Sequence, residues 1–375
     1  MEVTTIGIDV AKDAFGLHGV DAQGRVKVRK RLVRKHLLEF LSKLPACLVG
    51  LEACASAHYW AREIERLGHR VKLMSPRFVK PYRKNDKNDA NDAEAICEAV
   101  SRPSMRFVPI KSEAQQDLQA AHRAREQLLK SRTALVNQAR ALLAEHGIIA
   151  PRGIARARRL LAETLAPPER YPLSGLLRET LLEIAERLRF FDQRIEAYDL
   201  RIEQVFRHDE RCQRLAKIAG VGPLVATAVV AALGNTQEFK SGRQLSAWLG
   251  LVPRQYSSGR RNLLLGISKR GDRYLRTILI HGARAALCRT VRQRDQRSVW
   301  ASRLRLRRGT NVAAVALASK NARIIWALLT RGENYRPQLL ELRHSVRPAA
   351  FHPSPPASVR RVGAESSWPS ELRRN

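Results

Sequence analysis

Val3-Thr4-Thr5-Ile6-Gly7-Ile8-Asp9-Val10 is an apolar, β-branched run that predicts a strand. It carries an aspartate two residues after a glycine, and a carboxylate facing an apolar core is costly unless something neutralises it. Outward from this stretch, residues 14–20 (AFGLHGV) and 25–33 predict two more strands, the first pair joined by a short polar link and the second by Asp21-Ala22-Gln23-Gly24. A helix is expected near 34–44, a strand at 46–51 (ACLVGL), a helix near 57–67 and a strand at 70–74 (RVKLM). A three-stranded meander followed by alternating helix and strand predicts a mixed α/β sheet. Residues 89–100 (DANDAEAICEAV) then predict a helix with Ala93, Ile96 and Ala99 on one face.

The remainder of the chain is helical in pattern. Residues 112–147 place Leu118, Ala121, Leu128 and Leu135 at helical spacing, and a second long helix is expected near 174–207. A basic, proline-containing stretch at 151–172 links them. The pair predicts a helical hairpin or coiled-coil arm, or equally an ordinary helical layer packed on the sheet. Residues 211–335 continue as apolar helices, and 336–375, with six prolines among Ser and Arg, predict a disordered basic tail. The expected organisation is therefore 1–110 sheet domain, 111–210 helical arm, 211–335 mainly helical C-terminal domain, and tail.

Composition restricts the partner. Lys plus Arg number 68 against 35 acids, a net charge of +33 and a pI near 11.1. Such an excess attracts polyanions, and arginine favours bidentate phosphate contacts, but charge alone does not choose DNA over RNA. A ribosomal-type basic surface is the plainer alternative. Five scattered cysteines without a CxxC point to neither a disulfide framework nor a zinc site. A reducing, bacterial-type cytoplasm fits, and neither a signal-peptide pattern nor an apolar run of about 18 residues suggests a membrane.

Against that positive background stand carboxylates in sequence order. They are Asp9 in the first strand, Glu52 at the end of an apolar strand (VGLEA), and the cluster Asp86, Asp89 and Asp92. Carboxylates converging from two strands and a helix supply the hard oxygens that Mg²⁺ needs at a phosphodiester site. Singly, each has a plainer explanation: Asp89 as a helix cap, Asp86 or Asp92 as solvated surface, Asp9 as the start of a turn. Periodicity leaves Asp86/Asp89 and Asp89/Asp92 both open as the helical pair. The order strand Asp, strand-end Glu, helix Asp pair is RuvC-like.

Farther on, Ile218-Ala219-Gly220-Val221-Gly222-Pro223-Leu224-Val225-Ala226 fits a helix-hairpin-helix pattern. Amides beyond Gly220 and Gly222 can meet a DNA phosphate, or the glycines form a simple turn. Arg254, Lys269 and Arg270 flank small residues, including the serines of Tyr256-Ser257-Ser258-Gly259. Bottom-up, a serine there is a turn residue, a phosphate donor or a nucleophile, and no histidine base is close in sequence. G-x-S-x-G and Walker-type phosphate loops are absent.

Together these segments resemble the DEDD transposases of the insertion sequence 110 type, nearly to residue 335. GIDVAKD carries the first Asp, LEACASAHYW the Glu, and KNDANDAEAI the Lys-x-Asp-x-x-Asp-Ala segment. The resemblance selects Asp89 and Asp92 and leaves Asp86 outside. It implies a RuvC-like domain whose Asp9, Glu52, Asp89 and Asp92 hold Mg²⁺. It also implies a covalent nucleophile at Ser258, with Ser257 its immediate rival and Ser241, Ser246 and Ser268 structural. Implied partners are DNA (element ends and target), a structured guide RNA (the bridge RNA of the family) and further copies of the chain as dimer or tetramer, at the nucleoid. One departure is that many relatives have a glycine after the Glu where this chain has Ala53-Cys54-Ala55-Ser56-Ala57. A RuvC-like nuclease without a covalent intermediate and a non-catalytic nucleic-acid-binding protein are the competing readings.

Overall fold

The computed structural model describes residues 2–84, 88–167, 171–234, 236–259, 261–289 and 295–337. Its N-terminal part is β1 (Thr5–Val10), β2 (Ala14–Val20), β3 (Val26–Val33), α1 (Leu37–Ser42), β4 (Leu48–Glu52), α2 (Ala57–Arg66), β5 (Arg70–Met74), α3 (Pro76–Val79), α4 (Asp89–Val100) and β6 (Phe107–Val108). The strands form one six-stranded sheet in the order β3-β2-β1-β4-β5-β6. The meander β1–β3 is antiparallel, β4 and β5 run parallel to β1, and the short β6 closes the edge antiparallel. The α/β expectation is met, and β6 is an addition to it.

Alternation along the strands divides the sheet's faces. Ile6, Ile8, Phe15, Leu17, Val49 and Leu51 pack with Leu37 and Leu41 of α1 and Ala57, Trp60, Ala61 and Ile64 of α2 in one core. The opposite face carries Gly7, Asp9, Gly50 and Glu52, and it is covered by α4. A Cβ on Gly7 would lie 2.3 Å from both the Ala93 carbonyl oxygen and the Cys97 nitrogen, and one on Gly50 would lie 2.8 Å from Val100 Cβ. Gly7 and Gly50 are register partners on neighbouring parallel strands. Two missing side chains thus let α4 lie nearly against backbone.

The middle of the chain is α5 (Glu113–Glu145), α6 (Ile154–Leu165) and α7 (Gly175–His208). α5 starts at a capping box in which Ser112 Oγ accepts from Gln115 N and Gln115 Oε1 accepts from Ser112 N. Arg125 pairs with Asp199, and Arg132 with Asp192 at 2.9 Å; one number rises by seven as the other falls by seven, so α5 and α7 are antiparallel. Val136, Ala139, Leu143, Leu161, Leu181, Ile184 and Leu188 form the core between them. The 151–172 stretch, read as a basic link, contains α6, whose Ala157 and Leu161 enter that core. Their i, i+4 spacing is sufficient for an amphipathic helix despite the flanking prolines.

The C-terminal part is α8 (Glu210–Ala216), α9 (Pro223–Leu233), α10 (Gly242–Trp248), β7 (Pro253–Ser258), β8 (Arg261–Ile267), α11 (Arg273–Arg289), α12 (Gln296–Arg308) and α13 (Thr310–Arg331). α9 is buried nearly all round, which explains why its apolar residues show no single face. α13 has the length and hydropathy to cross a membrane, yet Ala313, Leu317, Ala322 and Ile325 lie in the helical core. Within the mainly helical 211–335, one stretch read only as basic residues around small, flexible positions is strand. Residues 253–267 are an antiparallel hairpin, a two-stranded sheet with nearly every position exposed. The expected tail lies, from residue 338 onward, outside the described residues.

Candidate active site

Asp9 and Glu52 each follow a glycine of the α4 face by two residues, so both side chains project from that same face. Each is half-buried. Their proximity shows in Cys54: burial raises its thiol pKa most, and the charges of Glu52 and then Asp9 raise it further. Cys54 Sγ also lies 3.9 Å from the Val10 carbonyl oxygen, tying the loop after β4 to the end of β1.

Asp89 is the first residue of α4 and Asp92 lies one turn later. The N-cap is Asn88, whose Oδ1 accepts from Asn91 N at 2.8 Å, so neither aspartate serves as the cap. Half-buried Asp92 is 3.5 Å from Arg83 Nη1, and Lys84 Nζ donates to Glu94 at 2.7 Å, holding that carboxyl below the ordinary glutamate range. Asp86 lies outside the described residues. Among the described residues no three His, Cys, Asp or Glu side chains stand close enough together to hold a metal ion. The donor chemistry nevertheless fits a hard divalent cation: carboxylate oxygens on one face of the sheet and on the helix packed against it.

The turn after Glu52 takes its left-handed residue at Ser56, φ 64°, and Ala53 N donates to the Met74 carbonyl at 2.7 Å. Ala53 therefore needs no glycine.

The serines are separated by their surroundings. Ser241 caps α10 by accepting from Gln244 N, buried Ser246 bonds Ser319 Oγ at 2.8 Å, and Ser268 faces Arg270 N. Ser257 and Ser258 are on the exposed hairpin. Ser257 Oγ donates to Asn262 Oδ1 at 2.8 Å and accepts from Gln255 Nε2 at 3.0 Å. Ser258, pointing to the other face, is paired with Arg261 and precedes Gly259, whose φ is +54°. Arg254 is exposed on β7, and Lys269 and Arg270 are exposed just beyond β8.

Sequence reading missed the residue that fixes the hairpin's stem. Nearly buried Arg276 donates through Nη1 to the carbonyls of Leu249 (3.2 Å) and Arg270 (3.0 Å). It joins two loops that approach so closely that a Cβ on Gly271 would lie 1.9 Å from Trp248 O. A lone arginine in a basic helix gives no sequence signal for that role. Gly220 (φ +89°) meets α11 at Gly282, where a Cβ would be 2.7 Å from the Gly282 carbonyl oxygen. Gly220 thus has a packing reason, while Gly222 is the N-cap of α9. Residues 217–222 form the turn that joins α8 to α9.

Family comparisons agree along the chain. Residues 6–148 match the DEDD transposase model of the IS110 type, and residues 212–299 match the model described as Transposase IS116/IS110/IS902 family. The chain is 52% identical over 337 residues to a probable family 20 transposase of Pseudomonas aeruginosa, covering 90% of this chain and all of that one. It is 46% identical to the transposase for insertion sequence element IS1111A of Coxiella burnetii, covering 89% and 92%. With the transposase for element IS1328 of Yersinia enterocolitica the identity is 43%, covering 88% and 98%. The carboxylate-bearing sheet and the serine hairpin thus lie in a chain that belongs to the IS116/IS110/IS902 family of insertion-sequence transposases.

Proposed function

We propose that this transposase cuts and rejoins DNA through a covalent bond to Ser258, with Asp9, Glu52, Asp89 and Asp92 as the ligands of Mg²⁺. The observation that supports it best is the hairpin: Ser258 is set on an exposed basic ribbon opposite Arg261, whereas Ser257 is engaged by Gln255 and Asn262. The strand order β3-β2-β1-β4-β5 and the position of α4 support a RuvC-like domain.

In this reading Ser258 Oγ attacks the scissile phosphorus. An Oγ–P bond forms, the P–O3′ bond breaks, and the 3′ oxygen leaves with a proton as a hydroxyl. A 3′ hydroxyl then attacks the phosphoserine, restoring the serine and making a new phosphodiester. Arg261 and Arg254 neutralise phosphate charge, and Asp9 and Glu52 hold their carboxylates on one rigid face. When bound, the divalent cation would supply electrostatic stabilisation of the phosphate. A structured guide RNA pairing with both DNA partners, and an oligomer that brings hairpin and carboxylates together, complete the proposal. Pairing would read sequence and leave the basic protein to hold shape and phosphate.

A suicide DNA substrate tests it. Wild type should form a protein–DNA adduct that both Ser258→Ala and Asp9→Asn abolish while the proteins remain folded. An adduct that persists in Ser258→Ala and vanishes in Ser257→Ala moves the nucleophile by one residue. Metal-dependent cleavage without any adduct supports a hydrolytic nuclease instead.

A further inference from the structure

α12 carries arginines at 297, 303, 305, 307 and 308 and no acidic residue. Two of them serve the fold. Arg297 donates to buried Asn321 at 2.8 Å, which in turn holds the Ala219 carbonyl, and Arg305 donates to the Leu287 carbonyl. Arg303 and Arg307 do neither; they are exposed, one turn apart, and make no ion pair among the described residues.

One turn before Arg303 on the same helix stands an aromatic, Trp300. Trp300, Arg303, Leu304 and Arg307 line a half-open recess of about 230 Å³. Their spacing of three, four and seven residues puts them on one stripe of the helix. Trp300 is 37% exposed, and Lys320 Nζ stands 4.5 Å from its ring centroid. Leu304 packs against the helical core and gives the recess a floor. Burial, then Arg323 and Arg297, lower the Lys320 pKa, so cations are crowded at this wall. An exposed aromatic with guanidinium groups one and two turns farther along its stripe suits a polyanion with flat apolar units. A protein partner's apolar side chain would leave that charge unanswered. Among the described residues that line the recess, no side chain offers an acceptor to a ribose 2′-hydroxyl.

We propose that Trp300 is a stacking platform for one unpaired base of single-stranded DNA, with Arg303 and Arg307 on successive phosphates to one side of it. The proposal rests on the chain acting on DNA, as its family does, and is independent of the Ser258 chemistry. Strand exchange necessarily exposes unpaired nucleotides, and a platform on a rigid helix would hold one out of the duplex.

Fluorescence anisotropy of the full chain with labelled oligothymidylate, oligouridylate and duplex DNA of equal length decides it. Trp300→Ala should weaken oligothymidylate binding about tenfold and leave duplex binding unchanged, while Trp300→Phe retains most of the affinity. Arg303→Gln should lower the salt slope for oligothymidylate by about 0.7, the loss of one phosphate contact. The proposal is overturned if Trp300→Ala changes nothing, or weakens single strand and duplex alike. It is also overturned if oligouridylate loses more than oligothymidylate, which would mark an RNA site, or if light scattering shows Trp300→Ala splitting an oligomer, which would mark a contact between copies. Wild type that binds duplex but not oligothymidylate sinks the platform alone; wild type that binds neither sinks the DNA-acting reading with it.

Discussion

Gly7 and Gly50 determine how closely the helix bearing Asp89 and Asp92 approaches the strands bearing Asp9 and Glu52. At Gly7 the atoms in the way are backbone on both sides, the Ala93 oxygen and the Cys97 nitrogen, and backbone within a packed helix cannot step aside. Gly7→Ala should therefore cost about 3 kcal/mol or more in chemical denaturation, at the upper end of overpacking effects. Gly24→Ala is the contrast: with φ +78° and nothing within 4 Å, it should cost about 1 kcal/mol of backbone strain. Equal losses in the two variants would dismiss the close approach. Asp9 and Glu52 were legible in the sequence because a charge in an apolar run needs a reason. The glycines' purpose was not, because it depends on a helix about fifty residues beyond Gly50 and ninety beyond Gly7 crossing at that point. Arg83 and Arg276 were hidden for the same cause: their partners, Asp92 and the Leu249 and Arg270 carbonyls, are defined by folding rather than by pattern.

Elements join at α5, whose N-terminal half touches both other parts of the chain. Arg62 of α2 donates to Gln116 Oε1 of α5 and to the Lys111 carbonyl just before it at 2.7 Å, and Gln115 Nε2 donates to the Val230 carbonyl of α9 at 3.2 Å. Deeper in, Thr227 Oγ1 donates to the Pro223 carbonyl and so accepts from His122 Nε2, while His122 Nδ1 accepts from the Tyr274 hydroxyl at 2.9 Å. The network suits a neutral imidazole, and burial drives the His122 pKa down to about 4. A folded pKa below the unfolded one means that unfolded chains bind more protons between pH 6.5 and about 4. Stability from this residue is complete above pH 6.5 and should be lost as pH falls through that window, by about 3 kcal/mol. His122→Gln should flatten the acid limb of a stability–pH profile; an unchanged slope would refute the assignment. Strands and long helices in this part of the chain followed their apolar spacing closely. The hairpin at 253–267 did not announce itself, since a ribbon exposed on both faces has no burial rhythm to read.

Across the whole molecule, a net charge of +33 sets the response to ions. DNA affinity should fall linearly in log–log salt titration, with a slope near −0.9 for each phosphate contacted in duplex DNA. A slope near zero would mean that the charge serves another purpose. The charge was the plainest signal in the sequence and the least specific, since it could not divide DNA from RNA; family membership did that. One consequence belongs to the hairpin. The carboxylates have a packed helix at their back, but the serine ribbon rests on a single clamped stem, and two strands without a core are marginal alone. Its aim is therefore borrowed from whatever lies across it. On the proposed chemistry, a lone copy drifting along a chromosome carries its reactive oxygen unaimed, and the power to break a strand arrives together with the partners needed to mend it.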